Sequence, residues 1–264
     1  MEPEPRARRT IVLPRSEHAV LDEDDFGAPG LVAHEVIGPF VRLQASGPLV
    51  MVHDGVFEPR RGIGHHPHRM HERLFYILEG AVEHDDALNG ITGHMGTGDL
   101  GRLTEGRRGM LHREWNETDG RTRAFILVYA TDPVPAAASF EVLREADAPR
   151  SDPRPGVRTK ELVGPASPLR IHGDVRLFTD DRMEPGARGE LVLGEGEGGL
   201  LFVVEGAIEL EGERVPAEAA AVVPPGEAAR RLPYGAPEGA RVLRVVHGPG
   251  FGLVTGEPMP RPGG

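Results

Sequence analysis

The punctuation of this chain limits what it can fold into more than any other feature. Thirty-six glycines and twenty-five prolines are spread through its 264 residues at short intervals. Both residue types interrupt helices, so few windows of ten or more residues remain in which a helix can run. The stretches between them are short and β-favouring: Leu49-Val50-Met51-Val52, Leu74-Phe75-Tyr76-Ile77-Leu78, Phe125-Ile126-Leu127-Val128-Tyr129, Leu201-Phe202-Val203-Val204 and Val242-Leu243-Arg244-Val245-Val246. Short apolar strands bounded by turn residues are the pattern of an all-β sandwich or barrel. The helix that the sequence does suggest is brief, near Ser139–Ala146, with Ser139 placed to cap it.

A proline-rich stretch from Asp132 to Pro155 divides the chain, and the two sides are related. Tyr76-Ile77-Leu78-Glu79-Gly80-Ala81-Val82-Glu83 matches Phe202-Val203-Val204-Glu205-Gly206-Ala207-Ile208-Glu209, with four of eight positions identical and the rest apolar exchanges. Gly98-Asp99 is echoed by Gly226-Glu227. A duplicated β unit explains both matches, and the expected architecture is two β-barrels in tandem: residues 1–135, a connector over 136–155, and residues 156–264.

Composition removes several function classes. There is no cysteine, which excludes disulfides, thiolate metal sites and thiol nucleophiles and suits a reducing compartment. A net charge of -11 argues against direct nucleic-acid binding, which needs a basic face. No apolar run approaches the roughly 20 residues of a membrane span. The opening Met1-Glu2-Pro3-Glu4-Pro5 is unlike a signal peptide, so a cytoplasmic location is expected.

Eight of the twelve histidines fall between His53 and His112. Within them, His66-Pro67-His68 and His112-Arg113-Glu114 each carry two ligand-type residues at i and i+2. Such residues share one face of a strand. If the two strands lie side by side inside a barrel, His66, His68, His112 and Glu114 converge as three imidazoles and a carboxylate. That set suits a divalent first-row metal with room for water or substrate. His65 and His71 read as bystanders, and His84 and His94 as surface groups of a hairpin. The second half lacks such a shell: shifting His66 and His68 by the repeat offset gives Val192 and Gly194, and the counterpart of His112-Arg113-Glu114 is expected near Ala240-Arg241-Val242. His172 and His247 are isolated, and Glu205, Glu209, Glu211 and Glu213 read as a solvated strand face.

His66-Pro67-His68-Arg69, Glu72, Phe75 through His84, Gly98-Asp99, Leu103-Thr104, Gly106-Arg107 and His112-Arg113-Glu114 together resemble the signature of the pirin family of bicupins. The resemblance is close in the first half and rests on strand order and the repeated segment in the second. It implies two tandem cupin barrels, with a metal in the N-terminal one held by His66, His68, His112 and Glu114. The chain departs from the family pattern at Met70, His71, Thr97 and Arg113, and in the Arg107-Arg108 segment, without losing a ligand. In common cupins a glutamate ligand stands where this chain has Arg73. Glu72 is one residue out of phase with that position, which makes it a supporting or structural acid and leaves Glu114 as the carboxylate ligand.

By resemblance, the expected activity is that of a quercetin (flavonol) 2,3-dioxygenase. Ring cleavage uses O2 at one divalent metal per chain, Fe2+ first, with nickel, manganese, copper and zinc as alternatives. Glu114 would take the proton of the flavonol 3-hydroxyl. The family also implies a non-enzymatic alternative, a metal-dependent co-regulator that binds a protein partner. No strong basic run of the nuclear-localisation kind accompanies it: Lys160 is the sole lysine, and Arg6, Arg8 and Arg9 form a weak cluster.

Overall fold

A computed structural model describes residues 10–261. Met1–Pro5 and the Arg6, Arg8 and Arg9 cluster lie outside the described residues. Strands dominate, and they form two antiparallel barrels. In the first, a large sheet runs in the order Ser139–Leu143, Leu100–Thr104, His71–Glu79, Thr122–Ala130, Leu49–Phe57, Leu31–Ile37, Ala19–Leu21. A four-stranded sheet closes it, in the order Gly62–His68, Met110–Trp115, Ala81–Asp86, Ile91–Gly96. The second barrel is built around Gly198–Leu210, Ala240–His247, Val175–Met183 and Val157–Val163, with the pair Ala187–Leu193 and Arg230–Ala236 on its other side. Among the described residues no helix is long and apolar enough to cross a membrane.

The ends of the chain cross over. Ile11–Leu13 pairs with Ala220–Val223 of the second barrel, and Leu253–Thr255 pairs with Leu43–Ser46 of the first. The stretch expected as a connector contributes strands to both sheets: Ser139–Leu143 lies against Leu100–Thr104, and Arg150–Arg154 against Val157–Val163. The helix expected over Ser139–Ala146 is therefore a strand in its first half. Phe140 and Val142 turn their apolar side chains to the barrel interior while Glu141 is exposed, and pairing with a sheet edge overrides weak local helix preference.

The apolar runs are continuous because their strands are buried on both faces. On His71–Glu79, Phe75 and Ile77 point into the first barrel, whereas Leu74, Tyr76 and Leu78 point toward the second. On Gly198–Leu210, Leu201 and Val203 enter the second barrel, while Leu200, Phe202 and Val204 meet the first. The largest apolar cluster is thus the seam between the barrels. There the Phe125 ring lies 4.7 Å from Phe202, and Tyr76 meets Phe178 edge-on at 5.8 Å.

The duplication holds in detail. Tyr76 and Phe202, matched in sequence, both sit in the seam, and Gly80 and Gly206 turn with φ of 79° and 75°, a left-handed conformation that glycine adopts freely. The pairing of Leu31–Ile37 with Leu49–Phe57 repeats that of Val157–Val163 with Val175–Met183 residue for residue, down to a bulge after Glu35 and after Glu161.

Candidate metal centre

The four-stranded sheet puts the sequence-selected residues together. His66 and His112 are directly opposed on neighbouring strands, with Met110 opposite His68. Glu114 follows on the same inward face, after an irregularity in the pairing. Ring centroids of His66, His68 and His112 lie 4.6–5.0 Å apart, and one nitrogen from each falls within 4.8 Å of the others. Glu114 Oε1 is 3.0 Å from His112 Nδ1, and its Oε2 is 3.9 Å from His66 Nε2. Beyond this ion-pair contact to Glu114, neither His112 ring nitrogen has a hydrogen-bond partner.

Several local features hold this arrangement. His66 Nδ1 donates to Gly64 O at 2.8 Å, which fixes the tautomer and leaves the Nε2 lone pair facing the cluster. Asp86 Oδ1 accepts from Leu111 N at 3.0 Å and its Oδ2 from Asn89 Nδ2 at 2.6 Å, pinning the hairpin to the strand of His112. Arg113, between the two inward residues, turns outward toward Asp85 at 3.6 Å.

Burial keeps His66 and His68 neutral. It pushes His68 down to about 2, with Arg73 adding to the effect, and it lowers His66 as well. Burial alone would raise the Glu114 carboxyl. His112 beside it, then His66 and Arg73, outweigh that and hold it well below the ordinary carboxylate range. A neutral His66 and His68 and an ionised Glu114 are in the protonation states that metal ligands need.

The sequence reading missed one residue. His84 is buried, not at the surface: it stands directly opposite Glu114, its ring 5.3 Å from His112 and stacked at 4.7 Å on Phe140. Burial pushes it down to about 4, and both its ring nitrogens lack partners. His84, His112 and Glu114 form a second set of donors within 4.8 Å that shares His112 with the first. The available signal was alternation: Val82 must face the core, so His84 two residues on faces it too. Buried polar atoms without partners cost about 1–3 kcal/mol each. The ring nitrogens of His84 and His112, beside an anionic carboxylate, therefore fit a bound cation.

The other candidates fall elsewhere. His65 pairs with Asp85, His94 with Glu83, and His71 lies 3.7 Å from Glu105. Arg73 turns into the barrel and meets Glu105 at 2.7 Å, whereas Glu72 faces the seam. There Glu72 accepts from Thr104 Oγ1, Tyr129 Oη and His172 N at 2.5–2.8 Å, with His172 Nδ1 at 2.6 Å, so it ties the barrels together instead of supporting the cluster. The acidic run Glu205, Glu209, Glu211 and Glu213 is exposed.

In the second barrel, two expected counterparts need correction. Val192 is exposed; the inward residues of its strand are Leu191 and Leu193, paired with Leu232 and Arg230. The partner strand is Arg230–Ala236, not the strand of Ala240-Arg241-Val242, which repeats Thr122–Ala130. A one-residue difference in the preceding turn flips the face. Leu191, Leu193, Leu232 and Tyr234 fill that interior, and both donor sets found among the described residues lie in the first barrel.

A family model described as Pirin matches residues 24–128, which include all five clustered residues. Pirin-like protein 2 of Arabidopsis thaliana is 26% identical over 233 residues, covering 81% of this chain and 67% of that one. A Pseudomonas aeruginosa protein named "putative quercetin 2,3-dioxygenase" is 30% identical over 213 residues, covering 76% of this chain and 70% of its own length. The chain spans 67%, 56% and 46% of the first three curated relatives it matches. Among solved structures, YhhW of Escherichia coli superposes with a TM-score of 0.75 at 19% identity, covering 91% of this chain and 98% of that one. The bacterial pirin YhhW in complex with nickel(II) gives 0.72, covering 91% and 100%. These structural likenesses establish the fold.

Proposed function

This chain belongs to the pirin family, and from that premise we propose that it is a metal-dependent dioxygenase that opens the ring of quercetin or a related flavonol with O2. The observation that carries the reading is the convergence of His66, His68, His112 and Glu114 in one cluster, with His66 and His68 held neutral and Glu114 ionised as ligands of a divalent ion must be. These four are the proposed ligands, with iron(II) first and nickel, manganese, copper and zinc as the alternatives that loading decides. The name of the Pseudomonas aeruginosa relative and the nickel(II) complex of the Escherichia coli pirin support substrate class and metal dependence respectively.

When bound, the ion supplies Lewis acidity toward the flavonol 3-hydroxyl. Glu114, ionised at neutral pH, accepts the hydroxyl proton. Its low basicity suits a hydroxyl that is already acidified, since a carboxylate of this kind is a weak base toward a free one. His66, pinned through Gly64, and His84, wedged between Glu114 and Phe140, hold the geometry in which that transfer occurs. In the overall reaction both O2 oxygens enter the ring-opened product and carbon monoxide leaves.

The test is turnover at matched metal occupancy. Wild type loaded with each candidate metal should consume quercetin and O2 and release carbon monoxide with at least one of them. Glu114→Gln keeps an oxygen ligand but loses the proton acceptor, so turnover should fall by about 10²–10⁴-fold and recover partly at higher pH. Unchanged turnover in the loaded variant would reduce Glu114 to a ligand. No O2 consumption by any loaded form with any flavonol would overturn the enzymatic reading.

A further inference from the structure

A cavity of about 600 Å³ opens between the barrels, and none of the clustered histidines lines it. Its second-barrel wall carries an unusual row. Arg158, Arg182 and Arg241 stand side by side on three adjacent strands, in direct register. Like charges opposed across a sheet are destabilising, so the row needs a cause.

The duplication supplies an internal control. The equivalent strands of the first barrel line a pocket of about 370 Å³, and the corresponding row there is Val32, Val56 and Arg123. One member of the row is common: Arg241 holds Asp180 at 2.8 Å as Arg123 holds Asp54 at 2.8 Å, so the fold keeps that pair in both copies. The other two differ, arginine in one pocket and valine in the other. The fold itself therefore does not require Arg158 and Arg182.

Charge balance separates the pockets further. In the smaller one, Arg15 meets Glu218 at 2.5 Å, Arg121 meets Glu58 at 2.9 Å and Arg123 has Asp54. In the larger one, Arg150 and Lys160 share Glu145, and Arg241 takes Asp180. Arg158 and Arg182 have no hydrogen bond or ion pair among the described residues, and of the lining acids Asp152 is left to offset them. A cavity with a cationic excess stands out in a chain of net charge -11. Tyr76 and Leu78 add an apolar wall on the first-barrel side.

We propose that this inter-barrel cavity binds a small organic molecule bearing several negative charges, a phosphate ester or a polycarboxylate, with Arg158 and Arg182 as its main contacts. Guanidinium forks pair with both groups in a bidentate manner, and the volume is that of an ordinary small-molecule site. Calorimetric titration of the full chain with glycerol 2-phosphate and with tricarballylate, against sodium chloride of equal ionic strength, tests it. At least one probe should bind, and the better of the two identifies the anion class. The Arg158→Ala/Arg182→Ala double variant should lose at least about tenfold in affinity. Arg188→Ala, at an exposed arginine outside both cavities, should bind as wild type. His68→Ala should also bind normally, which keeps this site's fate separate from that of the metal centre. Without anion, the double variant should unfold no earlier than wild type at low salt, because a like-charge contact is gone. Binding no better than chloride, or an unchanged double variant, would overturn the proposal.

Discussion

A histidine's partners and burial decide its role here, and those follow from which face of a strand it occupies. His66 and His68 were legible because two ligand types two residues apart declare a shared face. His84 was not, because its single imidazole gains meaning only once the sheet order sets it opposite Glu114. With His66, His68, His112 and Glu114 as the proposed ligands, the purified protein should carry about one transition-metal ion per chain, and His68→Ala should empty the site while the strand content stays. Elemental analysis and circular dichroism of the same sample check both halves; an unchanged load in the variant refutes the assignment. The buried histidines also set a pH dependence. Burial holds His18 and His84 at about 4 and His68 at about 2, against an ordinary value of 6.5. Below 6.5 the unfolded chain takes protons that the folded chain refuses, so stability falls as pH drops from about 6.5 toward 4. Each such group contributes up to about 1.4 kcal/mol per pH unit. Denaturation of chelator-treated protein at several pH values should show this slope, and His84→Phe should remove about one proton's share. A variant slope equal to wild type would count against the neutral, buried His84.

Two glycines on one strand separate close packing from mere flexibility at the scale of the element. A Cβ on Gly62 would lie 2.2 Å from the Glu114 carbonyl oxygen and 2.7 Å from Trp115 Cα, whereas one on Gly64 would meet nothing within 4 Å. Gly62→Ala must therefore push apart the two strands that carry the metal-type residues, at a cost of about 1–3 kcal/mol. It should weaken metal loading, while Gly64→Ala should leave loading and melting temperature close to wild type. Equal behaviour of the two variants would show that strand spacing does not control the site. The strands themselves were readable because burial on both faces makes their apolar runs continuous. Pairing was not readable. Phe140 sits in a strand because the Leu100–Thr104 edge accepts it, and its ring then covers His84 in the space that Gly93 leaves open. The repeat was visible in Glu79-Gly80-Ala81 and Glu205-Gly206-Ala207, but a one-residue difference upstream turned Val192 outward where Leu191 and Leu193 face in. Periodicity reports a face only while the count is kept.

For the whole molecule, the largest core belongs to neither barrel alone. Leu74, Tyr76, Phe125, Phe178 and Phe202 meet in the seam. Polar ties cross it as well: Tyr76 Oη donates to Asp180 at 2.6 Å, and His172 N to Glu72 at 2.7 Å. Each terminal strand completes the other barrel's sheet, so neither half can unfold without exposing apolar seam and unpaired strand edges in the other. Inter-domain contacts of ordinary size permit independent unfolding, but these features make the halves one cooperative unit. Calorimetry should therefore show a single transition, and added metal should raise all of it, because a ligand bound in one barrel stabilises everything that unfolds with that barrel. Phe202→Ala, in the barrel where no donor set is found among the described residues, provides the sharper test. Truncating a fully buried aromatic costs about 3–5 kcal/mol. If the seam couples the barrels, that loss should lower the melting of the barrel with the proposed metal site equally, read through a probe such as metal release on heating of loaded protein. A variant in which metal release keeps its wild-type temperature while the second barrel melts early would show that the two barrels are independent.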